Sequence, residues 1–375
     1  MTQNGSNFTT SDSKVIDFVR FPLAILVVIH HSFGEAIQYQ YNTILDLTYF
    51  DAIRCALSHV LVHVDNPAFF FISGYLFFIG GGITLETYWN KIRKRIKTLL
   101  IPYLSWNILT LIVGAIIHYA GHREVMDYLS LNANLHIFWD AIKTEVINSG
   151  PLHLSYEAFT PINGPLWFIR DLMVASLLSP LVYFVIKYTK GYIILFFTLV
   201  FCANLCYPIL GIGTGSIYFF SLGASFSILG LSFTSILNKV KTVLIPLTII
   251  IAIPTIFYDG MNTEWGFYIY PIFVTCSTLT FFLLASKLAI SATLTEKSIA
   301  MKKHVFFIYG SHVGLYIVPV VSMAFAKLCT TGSHFVSTIS YFATIILVSI
   351  ICIVLSIFLS KVTPNFYNVI TGNRK

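Results

Sequence analysis

Two long stretches of this chain, Gly191 to Asn238 and Leu328 to Ser360, contain no Asp, Glu, Lys or Arg. A helix of about 20 residues crosses the hydrocarbon core of a bilayer, where the backbone must satisfy its own hydrogen bonds. The first stretch is too long for one crossing, and a Pro- and Gly-rich segment from Tyr207 to Gly215 supplies a turn within it. Only 10% of the residues are charged, against about a quarter in soluble domains. The sequence therefore predicts an all-α, polytopic membrane bundle.

Hydropathy predicts ten transmembrane helices in a single domain over 1–375. Lys and Arg favour cytoplasmic loops, and with the N-terminus inside, 17 of them fall in inside segments and 4 in outside segments. The tails 1–14 and 361–375 are then cytoplasmic and the loop 120–163 is outside, with a short interfacial helix expected over 135–147. The net charge of +7 is mostly a signal of this topology and needs no nucleic-acid partner. No cleavable signal peptide is expected. The spans are predicted near 15–33, 56–80, 98–119, 165–187, 191–207, 216–237, 242–258, 266–286, 304–326 and 336–360.

The first predicted span contains ionisable residues, which are costly inside a bilayer and therefore indicate function. Arg20 and His31 are eleven residues apart, so they share one helix face about 16 Å apart along the axis. His30 points about 80° away from that face, which favours His31 of the two histidines. Asp17 lies one turn before Arg20 and is expected to neutralise it. The alternative is that Asp17 and Arg20 only reach the cytoplasmic interface, below a structural histidine.

A basic run from Lys91 to Lys97 precedes the third predicted span. It is typical of a stop-transfer anchor that contacts anionic lipid. It also fits a cradle for a polyanionic cytosolic ligand, such as the phosphates of coenzyme A, held by charge-assisted hydrogen bonds. The candidate ligand-binding side chains are Arg93, Lys94, Arg95 and Lys97.

Two further segments contain candidates for a substrate cavity. Ser73 precedes a glycine inside the aromatic segment 69–77, where small residues let a helix or a ligand approach the backbone. Trp167 suits an outer membrane interface. Arg170 and Asp171 follow it into the bilayer, where they need a partner or a wet cavity.

Metal and disulfide sites are not predicted. His59 and His63 are four residues apart and Asp65 follows them, but a zinc site would need further ligands. The six cysteines are scattered and form no C-x-x-C pair.

In their order along most of the chain, these segments resemble the integral membrane acyltransferase family 3. Members of that family often carry Arg-x-x-Arg in the basic run, whereas Thr98 stands three residues after Arg95 here. The resemblance rests on Arg20 and His31 with ten residues between them, the aromatic-Ser-Gly-aromatic stretch, the basic run before Ile101-Pro102-Tyr103, the segment Pro165-Leu166-Trp167-Phe168 and the late segment Phe306–His312.

The resemblance implies O-acyl transfer, commonly of acetyl, from cytosolic acyl-CoA to a hydroxyl of a cell-envelope glycan or lipid-linked sugar. Acyl-CoA is then a co-substrate, and no tightly bound cofactor is expected. The resemblance also implies a location in the bacterial inner membrane, in contact with membrane lipids. His31 would act as the general base, and Arg20 would hold a donor phosphate or offset charge near the thioester. Direct transfer and a covalent acyl-histidine both remain open. The cavity residues would be Asp17, Ser73, Trp167, Arg170 and His312.

Two other functions compete with acyl transfer. A secondary transporter would use Asp17, Arg20, His31, Asp65 and Asp171 as an ion or proton relay. A membrane glycosyltransferase would usually carry more acidic loop residues for a metal-bound sugar nucleotide. One cavity that contains both the arginine and the histidine of the first span, and that opens to the basic loop, would favour acyl transfer over transport.

Overall fold

A computed structural model describes residues 10–32, 48–80, 82–120, 135–147, 155–205, 208–261, 264–327 and 333–374. In these ranges the chain forms helices and one β-hairpin. The helices are α1 Thr10–His31, α2 Tyr49–Cys55, α3 Asp65–Phe77, α4 Leu85–Arg95, α5 Ile101–Tyr119, α6 Trp167–Leu177, α7 Ser179–Tyr188, α8 Tyr192–Cys202, α9 Thr214–Ile228, α10 Phe233–Met261, α11 Glu264–Leu288, α12 Ala292–Met301, α13 Val305–Ser311, α14 Ile317–Ala326, α15 His334–Val362 and α16 Pro364–Thr371. The strands are β1 Ile142–Ile147 and β2 Ser155–Thr160.

Short π and 3₁₀ turns join some of these helices into longer rods. A π turn at Ala56–Val60 and a 3₁₀ turn at Leu61–Val64 connect α2 to α3. A second π turn at Ile96–Leu100 connects α4 to α5. Single-turn 3₁₀ helices at Leu135–Phe138, Gly164–Leu166 and Lys302–His304 precede β1, α6 and α13.

Within the described ranges, five helical rods are long and apolar enough to cross a membrane, and the pair α6–α7, bent by 58°, would make a sixth. The five rods are Tyr49–Phe77, Leu85–Tyr119, Phe233–Ile256, Tyr268–Leu288 and His334–Val362. The other four predicted spans lie on helices that are short, broken or charged. The protein is thus an all-α, multi-pass membrane protein, while the count of ten crossings and the sidedness of the termini stay predictions. Residues 121–134 and 148–154 of the predicted outer loop lie outside the described residues.

One predicted boundary is wrong. The charges of Lys239 and Lys241 suggested a loop between spans 216–237 and 242–258, but α10 runs through both residues. The chain turns earlier, where α9 ends at Ile228 and Gly230 adopts a φ of +67°. Both lysines are exposed on α10, because a long lysine side chain can carry its charge away from apolar surroundings while its backbone stays helical.

The helix predicted over 135–147 is also wrong. Apart from one 3₁₀ turn, this segment forms β1, which pairs antiparallel with β2 from Ile142 opposite Thr160 to Ile147 opposite Ser155. The β1 sequence Ile-Lys-Thr-Glu-Val-Ile is rich in β-branched residues, which favour strands over helices.

The core is built around α1, α3 and α9. Aromatic and aliphatic side chains of these helices belong to one buried cluster that also contains residues of α6, α11 and α13. Helices α3 and α9 touch at the backbone, because a Cβ atom on Gly74 would collide with the carbonyl oxygen of Phe220 and one on Gly223 with that of Phe71. The small Ser-Gly step in the aromatic segment therefore serves close helix packing at its glycine.

Gly74→Ala is expected to destabilise the protein by about 1–3 kcal/mol, because the added methyl group forces α3 and α9 apart. Unfolding of the purified protein in detergent measures this change. Gly82→Ala is the matched control, since a Cβ there meets no atom within 4 Å. An equal loss in both variants would contradict the close packing of the two helices.

Candidate active site

Helix α1 runs without interruption, so that Arg20 and His31 share one helix as predicted. The Nη1 atom of Arg20 lies 3.4 Å from Oδ1 of Asp17, and Nζ of Lys302 lies 3.2 Å from the same oxygen. The expected Asp17–Arg20 ion pair is therefore present, and one carboxylate serves two cations. At 1.5 Å per residue, His31 lies about 16 Å further along the helix.

A cavity of about 460 Å³ lies beside Arg20, between α1, α3, α4, α6, α13 and the segment after α16. Aromatic and aliphatic side chains form much of its wall. No Asp or Glu of the described residues lines it. A cavity of this size suits a small molecule, and its cationic lining favours an anionic one. The cationic lining residues are Arg20, Lys94, Arg95, Lys302 and Arg374.

Only part of the predicted basic binding site lies at the cavity. Lys94 and Arg95 line the cavity, and Ser73 lines it from α3. Arg93 and Lys97 are exposed and do not line it. Two of the four candidate cations of the run therefore lie at the cavity, and the other two lie on the exposed surface of the protein.

The last turn of α1 carries two histidines with different surroundings. The ring centroid of His31 lies 5.0 Å from that of His312 and 5.1 Å from that of His30. The Nδ1 atom of His30 lies 3.2 Å from Oδ2 of Asp65, and its ring lies 6.1 Å from that of His63. Adjacent helical residues point about 100° apart, which explains why His30 pairs with a carboxylate of α3 and His31 approaches a third histidine.

His312 lies where the helix predicted over 304–326 is broken. The chain leaves α13 there and re-enters a helix only after Tyr316, whose φ is +57°. Nδ1 of His312 is 2.9 Å from the carbonyl oxygen of Ile308, which can only accept, so Nδ1 carries the proton and Nε2 the lone pair. Nε2 is buried and has no hydrogen-bond partner in the described part of the chain. A buried unpaired acceptor costs free energy, so this atom is suited to a ligand hydroxyl or a neighbouring imidazole.

Tyr309 connects the cavity with the histidines. Its side chain lines the cavity, and its ring lies 6.3 Å from that of His312. Its hydroxyl donates a hydrogen bond of 2.5 Å to the carbonyl oxygen of Pro165, which fixes the ring. His31 does not itself line the cavity, so this cavity does not contain both Arg20 and His31 as expected. The two regions are neighbours that meet at Tyr309.

Arg170, a predicted cavity residue, is fully buried and lies elsewhere. Its Nε and Nη2 atoms each donate to Oδ1 of Asp171 at 3.0 Å. With three further bonds to backbone carbonyls, all five N–H donors of the guanidinium are occupied. Arg170 thus ties α6 to the hairpin region and to the turn before α9. The three carbonyl oxygens belong to Trp139, Phe159 and Gly211.

Trp167, the other predicted residue of this segment, also does not line the cavity. It is half-buried, and its ring packs 6.3 Å from that of Phe70. Sequence analysis missed Lys302, Tyr309 and Arg374, which do line the cavity. Lys302 lies in a basic segment and Tyr309 in the late segment that resembles the family, so the sequence indicated these two weakly. Nothing in the sequence indicated Arg374.

No metal centre is found in the part of the chain that the structure describes, where no three His, Cys, Asp or Glu side chains are grouped to hold an ion. His63 instead has its Nδ1 atom 3.3 Å from the hydroxyl of Tyr270.

These features define a multi-pass membrane protein with a cation-lined cavity next to a group of histidines, of which His312 is fully buried. The family model described as an acyltransferase domain matches residues 14–360, which is most of the chain. The protein therefore belongs to acyltransferase family 3, as its sequence motifs predicted. This membership favours an enzyme over the transporter and the glycosyltransferase alternatives.

Among curated proteins, the chain is similar to the succinoglycan biosynthesis protein ExoH of Rhizobium meliloti (strain 1021), with 33% identity over 135 residues. The match covers 35% of this chain and 32% of that protein, so the chain spans about a third of the length of this relative. No solved structure matches the chain.

Proposed function

We propose that this protein is an O-acyltransferase of the bacterial inner membrane. It moves an acyl group, most simply acetyl, from cytosolic acyl-CoA to a hydroxyl of a cell-envelope glycan or lipid-linked sugar. The single observation that carries the proposal is the cavity whose charged lining is all cationic and includes Arg20, on the same helix as His31.

The donor side of the proposal rests on charge. Coenzyme A carries several phosphate charges, and guanidinium and ammonium groups bind phosphate through charge-assisted hydrogen bonds. Arg20, Lys94 and Arg95 reach the cavity from two different helices, so they can surround such a group. The basic loop that supplies two of them is cytoplasmic under the predicted topology, which is the side where acyl-CoA is found.

The acceptor side rests on the family and on the relative. ExoH is named for the biosynthesis of succinoglycan, which supports a polysaccharide or its lipid-linked precursor as the acceptor. The histidine group lies at the end of α1 opposite to its charged start, so the acceptor hydroxyl is expected to approach from the outer side of the bilayer.

The transfer step uses His31 as the base. A neutral imidazole nitrogen takes the proton of the acceptor hydroxyl as its oxygen bonds to the carbonyl carbon of the thioester. The carbon–sulfur bond then breaks, and the thiolate of coenzyme A leaves and takes the proton back from the imidazolium. The atoms and charges balance without an oxidant or a metal. The long arm of coenzyme A between its phosphates and its sulfur suits the separation of about 16 Å between Arg20 and His31.

A steady-state assay with purified protein, acetyl-CoA and candidate glycans tests the proposal. Arg95→Gln is expected to raise the apparent donor KM by about tenfold or more, because one charge-assisted bond is lost. The acceptor KM should change little, and the donor KM should rise with ionic strength in the unaltered protein.

Arg93→Gln is the matched control for this experiment. It removes the same charge from the same helix, but Arg93 is exposed and does not line the cavity. Its donor KM should stay within about twofold of the unaltered value, since exposed charges contribute little. Equal effects of the two variants would mean that the run acts only as a topology anchor or by general attraction.

A further inference from the structure

The segment after the last long helix folds back against the cavity. Helix α16 is held there by Trp106, whose Nε1 donates to the carbonyl oxygen of Ile370 at 2.9 Å, and by Tyr367, whose hydroxyl donates to the carbonyl oxygen of Lys303 at 3.1 Å. The hydroxyl of Tyr367 also lies 2.8 Å from Oγ of Ser356 on α15. Three separate parts of the chain therefore fix the position of this short helix.

Beyond α16 the backbone lies directly against the end of the basic run. Gly372 has a φ of +68°, and a Cβ atom at this position would lie 2.8 Å from Cα of Thr98. Glycine alone accepts both the left-handed conformation and the close contact. This turn directs Arg374 into the cavity.

The guanidinium of Arg374 is held in a defined place. Its Nη2 atom donates to the carbonyl oxygen of Thr98 at 2.9 Å, and its Cζ atom lies 3.9 Å from the centre of the Phe306 ring. Stacking and one hydrogen bond use one face and one donor of the group, so other N–H donors remain for a ligand.

The charge around Arg374 is unbalanced. Burial, and then repulsion by Arg95 and Arg20, lowers the pKa of Arg374 to about 9. Asp17 is paired with Arg20 and Lys302, and in the described ranges no carboxylate lies within ion-pair distance of Arg95 or Arg374. Three neighbouring guanidiniums with one carboxylate repel one another, and a bound polyanion relieves that repulsion.

We propose that Arg374 is a donor-binding residue that joins Arg20 and Arg95 in holding the phosphates of the acyl donor. The inference rests on the proposed function and deepens it, because it makes the segment 372–374 a wall of the donor site. The ligand chemistry is a polyphosphorylated carrier, and coenzyme A itself is the probe.

Calorimetric binding of coenzyme A to the full chain in detergent tests the inference. Arg374→Gln is expected to weaken binding by about tenfold or more, and to reduce the dependence of affinity on ionic strength, since one charge-assisted contact is removed. Lys361→Gln is the matched control. It removes a cation from the end of α15 that is exposed and does not line the cavity, and its affinity should be unchanged.

Arg374→Lys separates ligand binding from a structural role. Lysine keeps the charge at the cavity but loses the stacking and the fixed bond to Thr98. If charge toward the ligand matters, this variant retains most of the affinity that Arg374→Gln loses. If both variants lose affinity equally and also melt at a lower temperature, Arg374 is only a structural residue and the inference fails.

The remaining outcomes distinguish this inference from the proposed function. Weak binding in Arg95→Gln with normal binding in Arg374→Gln would overturn the role of Arg374 and leave the donor cavity in place. If the unaltered protein does not bind coenzyme A, both the inference and the proposed donor are wrong.

Discussion

His31→Ala should lower the rate of acyl transfer by about 10²–10⁴-fold, the usual cost of removing a general base, while the protein is still made and inserted. The helix places His31 on the face of Arg20, and its ring approaches His312 at 5.0 Å between centroids. His30 instead has its Nδ1 atom beside the carboxylate of Asp65. Turnover of acetyl-CoA in the presence of acceptor gives the rate, and an unfolding curve shows whether the fold is kept.

His30→Ala is the matched neighbour. It should retain much of the activity and mainly lower stability, because it leaves the buried Asp65 without its imidazole partner at 3.2 Å. Equal losses of activity in the two variants, or an active His31→Ala, would mean that the base is a different residue. His312 is then the next to replace, since its unpaired Nε2 atom is the other nitrogen suited to accept a proton.

Arg170→Ala is expected to destabilise the protein by about 3–5 kcal/mol, the cost of breaking a buried ion pair on one side. Asp171 would keep its bonds from Gly213 N at 2.9 Å and Ser216 Oγ at 2.8 Å, but its charge would remain buried without a cation. Three backbone carbonyls would each lose the hydrogen bond from Arg170 at the same time. A large fall in the unfolding temperature, with loss of folded protein on extraction, is the measurement.

Two further variants sharpen this prediction. Lys239→Ala removes a cation that is exposed on α10 and should leave the unfolding temperature within a degree or two of the original, in the range of ordinary surface substitutions (about 0.5 kcal/mol). Arg170→Lys keeps the charge but has only three donors on one nitrogen. Its unfolding temperature should therefore lie between those of Arg170→Ala and Lys239→Ala. A stable but inactive Arg170→Ala would show instead that this arginine serves the reaction.

The membrane class of the protein could be predicted because it depends on local properties. An uncharged stretch such as Leu328 to Ser360 has no stable alternative to a membrane helix, and α15 occupies it from His334 onward. The same holds for Arg20 and His31, whose relation depends only on the helical repeat. The loop predicted at Lys239 is wrong, because a charged residue does not by itself end a helix. The chain turns at Gly230, which has a positive φ.

The composition of the site depends on contacts between distant parts of the chain. His312 reaches His31 because α13 packs against α1, and the sequence alone gives no reason to place Asp65 beside His30 rather than beside His63. Arg170 was predicted to face a cavity because a buried charge often marks function. Two of its five donors are instead used by Asp171, and the other three by carbonyls that come from the hairpin region and from the turn before α9.

The sequence by itself determined that the chain is a helical membrane protein, that Arg20 and His31 share a helix face and that a basic run precedes α5. Each of these follows from periodicity or charge within a few turns of one helix. Only the tertiary structure shows which cations lie together at the cavity. It separates Arg95 from Arg93, and it brings Arg374 to the backbone of Thr98, where the family pattern has an arginine in the basic run. Such contacts depend on helix packing. The sequences of apolar helices of similar composition carry little information about which neighbouring helix each will contact.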